Sequence, residues 1–165
     1  MNLKKFLTYV SFIVINLTII SNSYSIEPDV FVQSTVNRAS KILSDDLSKD
    51  QKIKELKSIA AETVDIRGIG MYTLGSYRKV LSEDQKQEYD ALFEQYFLMT
   101  FSSRLAEYSN PEIEVKSKEI LNKNYTMVSS FLVATEQRPE IKIDWRIYTK
   151  NPDDLKIRDL IIEGL

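Results

Sequence analysis

The spacing of apolar residues changes twice along this chain. Phe6 to Ile20 is almost continuously apolar, broken by Thr8, Ser11, Asn16 and Thr18. From Pro28 to Tyr108 apolar residues recur at helical spacing, and from Glu112 onward they alternate with polar ones. After Pro28, the residues Val32, Val36, Ala39 and Leu43 form a stripe on one helical face. Ser48 and Gln51 have the spacing of a capping box, and Ile53, Leu56, Ala60 and Thr63 continue on one face behind it. Asp65 can cap a short helix from Ile66 to Leu74, ended by Gly75 and weakened by Gly68 and Gly70. Ser82 and Gln85 repeat the capping box and open a helix of about 26 residues, roughly 39 Å long, that reaches Tyr108. Its expected apolar face is Tyr89, Leu92, Phe93, Tyr96, Phe97, Phe101, Leu105 and Tyr108, and Asn110-Pro111 stops it.

Four alternating runs follow, over 112–121, 124–135, 141–150 and 155–162. Asn122-Lys123-Asn124, Arg138-Pro139 and Asn151-Pro152-Asp153-Asp154 separate them, which predicts an antiparallel meander. The expected dry face carries Ile113 and Val115, then Tyr125, Met127, Phe131 and Val133, then Ile141, Ile143, Trp145 and Ile147, and finally Leu155, Ile157 and Ile161. Val128 and Leu132 are apolar exceptions on the other face. A sheet with one dry face needs a cover, so the expectation is an α+β fold. The N-terminal helices pack on one face of a four-stranded antiparallel meander, with an apolar cavity between. The chain ends at Glu163-Gly164-Leu165, directly after the last apolar strand.

The first 25 residues form a separate unit. Lys4 and Lys5 precede the apolar stretch, and Ser21 to Ser25 is small and polar, the layout of a secretory signal peptide cleaved after Ser25. The alternative is a retained membrane anchor, against which the apolar stretch is short, since a spanning helix needs about 20 residues. Without cysteine there is no lipoprotein anchor and no disulfide. Residues 26–165 then form a single domain beyond the inner membrane, in the periplasm.

Composition narrows the chemistry. There are 22 Lys and Arg residues against 24 Asp and Glu residues, a formal charge of -2, which speaks against binding nucleic acid through phosphate contacts. Histidine and cysteine are both absent. That excludes zinc sites built on them, thiol nucleophiles and imidazole catalysis, so neither a metal nor a cofactor is expected. Neither a G-x-S-x-G elbow nor a phosphate-cradling glycine loop occurs. Asp144, Asp159 and Glu163 could form an acid–base pair, or simply pair with Arg146, Arg158 or Lys156 on the wet face. The aromatic stripe Phe93, Phe97 and Phe101 reads either as ordinary core or as one wall of an apolar ligand cavity.

Five strings, taken in order, resemble one family. They are Leu74-Gly75-Ser76-Tyr77-Arg78; Gln85, Tyr89, Leu92 and Phe93; Arg104-Leu105-Ala106-Glu107-Tyr108; Ile143-Asp144-Trp145-Arg146; and Lys156-Ile157-Arg158-Asp159 with Ile162-Glu163-Gly164. Their order and spacing are similar to those of the MlaC family of periplasmic phospholipid-binding proteins, also called toluene-tolerance auxiliary proteins. The resemblance spans roughly Val30 to Leu165. Leu155 stands where the family usually has Trp. Members usually continue past the Glu-Gly pair with further helices, so the resemblance implies a C-terminally shortened chain with an incomplete pocket.

The resemblance implies a monomeric, non-enzymatic phospholipid carrier. Such carriers work between an outer-membrane lipoprotein–porin complex and an inner-membrane ABC transporter with an MCE-type protein, in the maintenance of outer-membrane lipid asymmetry. A non-carrier adaptor of the transporter and a small carboxylate-dependent enzyme are the alternatives. The candidate lipid-binding residues are Tyr72, Leu74, Tyr77, Phe93, Phe97, Phe101, Phe131, Val133, Ile143, Trp145, Ile147 and Ile161. Arg104 either meets a lipid phosphate or pairs with Glu107 or a strand carboxylate, and the Gly68–Gly75 segment is a candidate hinge.

Overall fold

The computed structural model describes residues 25–109, 111–136 and 138–162. The expected signal segment and Glu163 lie outside the described residues, apart from Ser25. Helices α1 (Pro28–Ser44), α2 (Lys49–Thr63), α3 (Ile66–Thr73) and α4 (Glu83–Leu105) precede strands β1 (Ile113–Asn122), β2 (Tyr125–Leu132), β3 (Ile141–Tyr148) and β4 (Lys156–Ile162). The strands pair in the order β1-β2-β3-β4, every pair antiparallel, so the fold is α+β with an open meander sheet.

Local chemistry sets the helix ends. Both capping boxes form: Ser48 and Ser82 accept from the backbone N–H of Gln51 and Gln85, whose side chains accept in return. The Asp65 side chain caps α3 by accepting from Gly68 N at 2.9 Å. The long helix stops at Leu105 rather than Tyr108. From there the backbone tightens, Glu107 N donating to Arg104 O and Tyr108 N to Leu105 O, which satisfies end carbonyls with shorter-range bonds.

The helices lie on one side of the sheet. Helix α1 crosses β1 and β2, and α3 sits beside β4. Helices α2 and α4 pack chiefly on other helices: α2 on α1 and α4, and α4 on α2 and α3. Along α4, Tyr89, Phe93, Phe97 and Phe101 stack in a ladder with centroids 5.7, 6.2 and 5.4 Å apart. Leu92 and Tyr96, expected on that face, point to solvent with Met99. The inner face of α4 is thus narrower than the sequence stripe.

The sheet corrects the expected dry face in two strands. In β2, Thr126, Val128, Ser130 and Leu132 are buried toward the helices, while Tyr125, Met127 and Phe131 alternate onto the open face, with Val133 following by parity. The reason is β3. Ile143, Trp145 and Ile147 are buried, and their direct partners across the ladder are Ser130, Val128 and Thr126, which must share their face. Ser130 is wholly buried yet satisfied. It accepts from Trp145 Nε1 at 2.7 Å and its hydroxyl lies 3.2 Å from the Ile143 carbonyl, to which it donates. In β4 a bulge opposite Arg146 and Ile147 shifts the alternation, so Leu160 pairs with Trp145, Ile162 with Ile143, and Ile161 turns outward, 46% exposed.

Both sheet edges receive partial covers from the helical half. The Gln33 side chain donates to Ile113 O at 3.2 Å and accepts from Val115 N at 3.0 Å, standing in for a strand at the start of β1. On the β4 edge, Val64 forms a parallel bridge with Ile157, and Asp65 N donates to Ile157 O at 2.9 Å.

The glycines of the proposed hinge divide into two roles. A Cβ on Gly70 would lie 2.8 Å from Phe93 Cδ1, and one on Gly68 would collide with Asp65, so both allow close packing. Gly75 has φ +54° and open space around it. Gly70→Ala should therefore lower stability by about 1–3 kcal/mol through overpacking against Phe93, measured by urea denaturation. Ser130→Ala should cost about 1–3 kcal/mol in the same assay, because it strands the buried Trp145 N–H. A Ser130→Ala variant as stable as the parent would contradict the role given to that bond.

Candidate functional site

A cavity of about 300 Å³ lies between the helices and the sheet. Thr35, Val36, Ala39 and Leu43 of α1 form one wall. Leu56, Ile59, Ala60 and Thr63 of α2 form another, and Phe101, Leu105 and Tyr108 close the α4 end. The floor is Ile113, Leu132, Ile141, Ile143, Trp145 and Ile162. These walls follow from side-chain size. Where α4 presents Phe93 and Phe97, the rings pack against the core cluster and fill the layer. Where α1 and α2 present Ala39, Ser40, Ala60 and threonines, the layer is left open.

The lining is mainly apolar, and its two threonine hydroxyls are already bonded. Thr35 Oγ1 donates to Phe31 O at 2.9 Å, and Thr63 Oγ1 donates to Ile59 O at 2.8 Å. The Trp145 N–H is held by Ser130. A mainly apolar cavity with few polar partners favours an apolar guest over water.

Among the twelve sequence candidates, Phe101, Ile143 and Trp145 line this cavity. Phe93 and Phe97 pack against the same core farther along α4, and Ile147 is fully buried in that core. Leu74 is half-buried at the end of α3. Tyr72 and Tyr77 are 80% and 69% exposed, and neither lines the cavity. Phe131 and Val133 occupy the open face of the sheet, and Ile161 points away from the helices. The structure adds the α1 and α2 walls, Leu160 and Ile162. The α1 and α2 stripes were visible in the sequence, but nothing there distinguished a cavity wall from a packed one.

The carboxylates lie elsewhere. Asp144 sits on the open face, accepting from Ser129 Oγ at 2.5 Å and from Lys142 Nζ at 2.9 Å. Burial pushes its carboxyl up, but the bonds from Ser129 and Lys142 outweigh that and hold it below the usual carboxylate range. Asp159 pairs with Arg146 at 3.3 Å, and Arg104 with Glu107 at 3.7 Å. Arg158 bonds Asp65 and lies 4.3 Å above the Tyr148 ring. These groups form ion pairs outside the cavity. No helix among the described residues is long and apolar enough to cross a membrane.

Known proteins match this arrangement. A solved structure of a phospholipid-binding protein from Ralstonia solanacearum, in complex with a phospholipid, superposes with a TM-score of 0.69 at 16% identity, covering 85% of this chain and 80% of that one. The likeness is one of fold. The intermembrane phospholipid transport system binding protein MlaC of Haemophilus influenzae is 25% identical over 175 residues, covering 99% of this chain and 80% of that protein. The family model described as MlaC protein matches residues 33–165. That match takes in every helix and strand but the first turn of α1, together with the whole cavity lining, and the chain belongs to the MlaC family.

Proposed function

We propose that this protein is a phospholipid carrier of the periplasm. It is exported by residues 1–25, acts as a single domain over 26–165, and holds acyl chains in the cavity between α1, α2, the end of α4 and the sheet. The observation that carries the reading is the mainly apolar lining of that cavity, whose two threonine hydroxyls are bonded to their own helix backbone. The H. influenzae relative is named for intermembrane phospholipid transport, and the R. solanacearum neighbour holds a phospholipid. Its partners are then an outer-membrane lipoprotein–porin complex and an inner-membrane ABC transporter with an MCE-type protein, and its role is maintenance of outer-membrane lipid asymmetry. It performs no turnover chemistry.

The physics fits a carrier. Each methylene taken from water contributes about 0.8 kcal/mol. A methylene fills roughly the volume of a water molecule, about 30 Å³, so 300 Å³ holds on the order of ten of them. That shelters part of one acyl chain and offsets about 8 kcal/mol of exposure. A diacyl lipid therefore needs the walls to part. Helices α2 and α4 pack chiefly on other helices rather than on the sheet, so they are the walls that can move off it. Phe101, Ile143 and Trp145 touch the lipid in this reading.

Trp145 is the sole tryptophan, so its fluorescence reports on the cavity. Vesicles containing a phospholipid brominated along its acyl chains should quench Trp145 on incubation with the protein. Ala39→Phe, which fills the α1 wall, should reduce that quenching several-fold while leaving the circular dichroism spectrum unchanged. A folded parent protein whose fluorescence ignores the brominated lipid would overturn the carrier reading.

A further inference from the structure

We propose that Arg138 receives the anionic phosphate of the headgroup when a lipid occupies the cavity. This inference rests on the carrier reading and names the polar half of the same site. Arg138 lies in the loop between β2 and β3, whose flanking residues Leu132 and Ile141 both line the cavity. Its backbone is fixed there: Thr135 N donates to Arg138 O at 2.8 Å and Arg138 N to Thr135 O at 3.2 Å. The guanidinium carbon stands 6.0 Å from the centre of the Tyr108 ring. Tyr108 lines the cavity and is 44% exposed, so the cavity reaches solvent beside this arginine.

The charge on Arg138 is unmatched among the described residues. Arg38, Arg67, Arg104, Arg146 and Arg158 each have a carboxylate partner. Arg138 has none among the described residues, although Glu136 and Glu140 are close in the chain. One of its donors, Nη2, bonds the Val133 carbonyl at 3.0 Å. Its Nε is buried and donates to nothing among the described residues. A buried Nε–H without an acceptor, on a half-buried guanidinium, is costly without an anion. The planar fork of Arg suits a phosphate, and the Tyr108 ring holds that fork at the rim. Arg78 also lacks a carboxylate partner among the described residues; neither arginine is itself part of the cavity lining, but the Arg138 loop is flanked on both sides by lining residues, Leu132 and Ile141, and the turn that carries Arg78 is not.

Two amphiphiles with the same tail length separate this role from a structural one. Monododecyl phosphate carries the anion, and monolauroyl glycerol does not. Each is titrated against a neutral naphthylamine dye bound to the full mature chain. Arg138→Gln should weaken monododecyl phosphate by about tenfold, the scale of a lost charged hydrogen bond, and leave monolauroyl glycerol within about twofold. Arg138→Lys, which keeps the charge and loses the fork, should fall between. Equal weakening of both ligands, or of neither, would overturn the role of Arg138 while leaving the carrier reading intact. Displacement of either ligand by inorganic phosphate alone would overturn the assignment to a lipid headgroup. A parent protein that binds neither amphiphile and no dye would overturn the carrier reading itself, and the proposal with it.

Discussion

The indole N–H of Trp145 is buried among apolar side chains and must meet an acceptor there. Ser130 supplies it, from the position diagonal to Trp145 on the neighbouring strand. That bond holds β2 in the parity that turns Thr126, Val128 and Leu132 toward the helices and Phe131 away from them. Slipping β2 by one residue would exchange its two faces and leave the indole unsatisfied. The floor of the cavity, made by Leu132, Ile141, Ile143 and Trp145, depends on that register.

Above the floor, side-chain volume decides what is filled and what is open. The ladder from Tyr89 to Phe101 gives α4 bulk on its inner side, and Gly70 lets α3 approach Phe93 closely. The facing stretches of α1 and α2 carry Ala39, Ser40 and Ala60 instead. One sheet face is therefore covered by a packed region and an unpacked one side by side. Dense packing is the rule in protein interiors, and a retained apolar void costs stability unless a guest fills it. The carrier reading gives that void a purpose.

Helices were well legible in the sequence because their signals are local. The capping boxes at Ser48 and Ser82, the Asp65 cap and the left-handed Gly75 all stand where residue type requires them. The meander was legible from its period and its turn residues. The faces of β2 and β4 were not. Tyr125, Met127 and Phe131 outweigh Thr126, Val128 and Ser130 in apolar character, so a hydrophobicity count selects the wrong side. Only pairing with β3 reveals that two polar side chains belong inside, and only the bulge opposite Arg146 explains why Ile161 faces out. The candidate site was legible in kind but less so in place. An apolar cavity between helices and sheet was expected, yet its walls come mainly from α1 and α2 rather than from the aromatic stripe. Periodicity tells which face is buried and says little about where burial is incomplete. Arg138 carried no signal at all, since a charge unmatched among the described residues becomes visible only in three dimensions.

The central claim is that this cavity carries lipid, and native mass spectrometry of the mature protein purified without detergent tests it most directly. The account predicts a mass excess on the folded protein that extracts into organic solvent as phospholipid. A folded protein of bare polypeptide mass, unchanged after incubation with phospholipid vesicles, would contradict it.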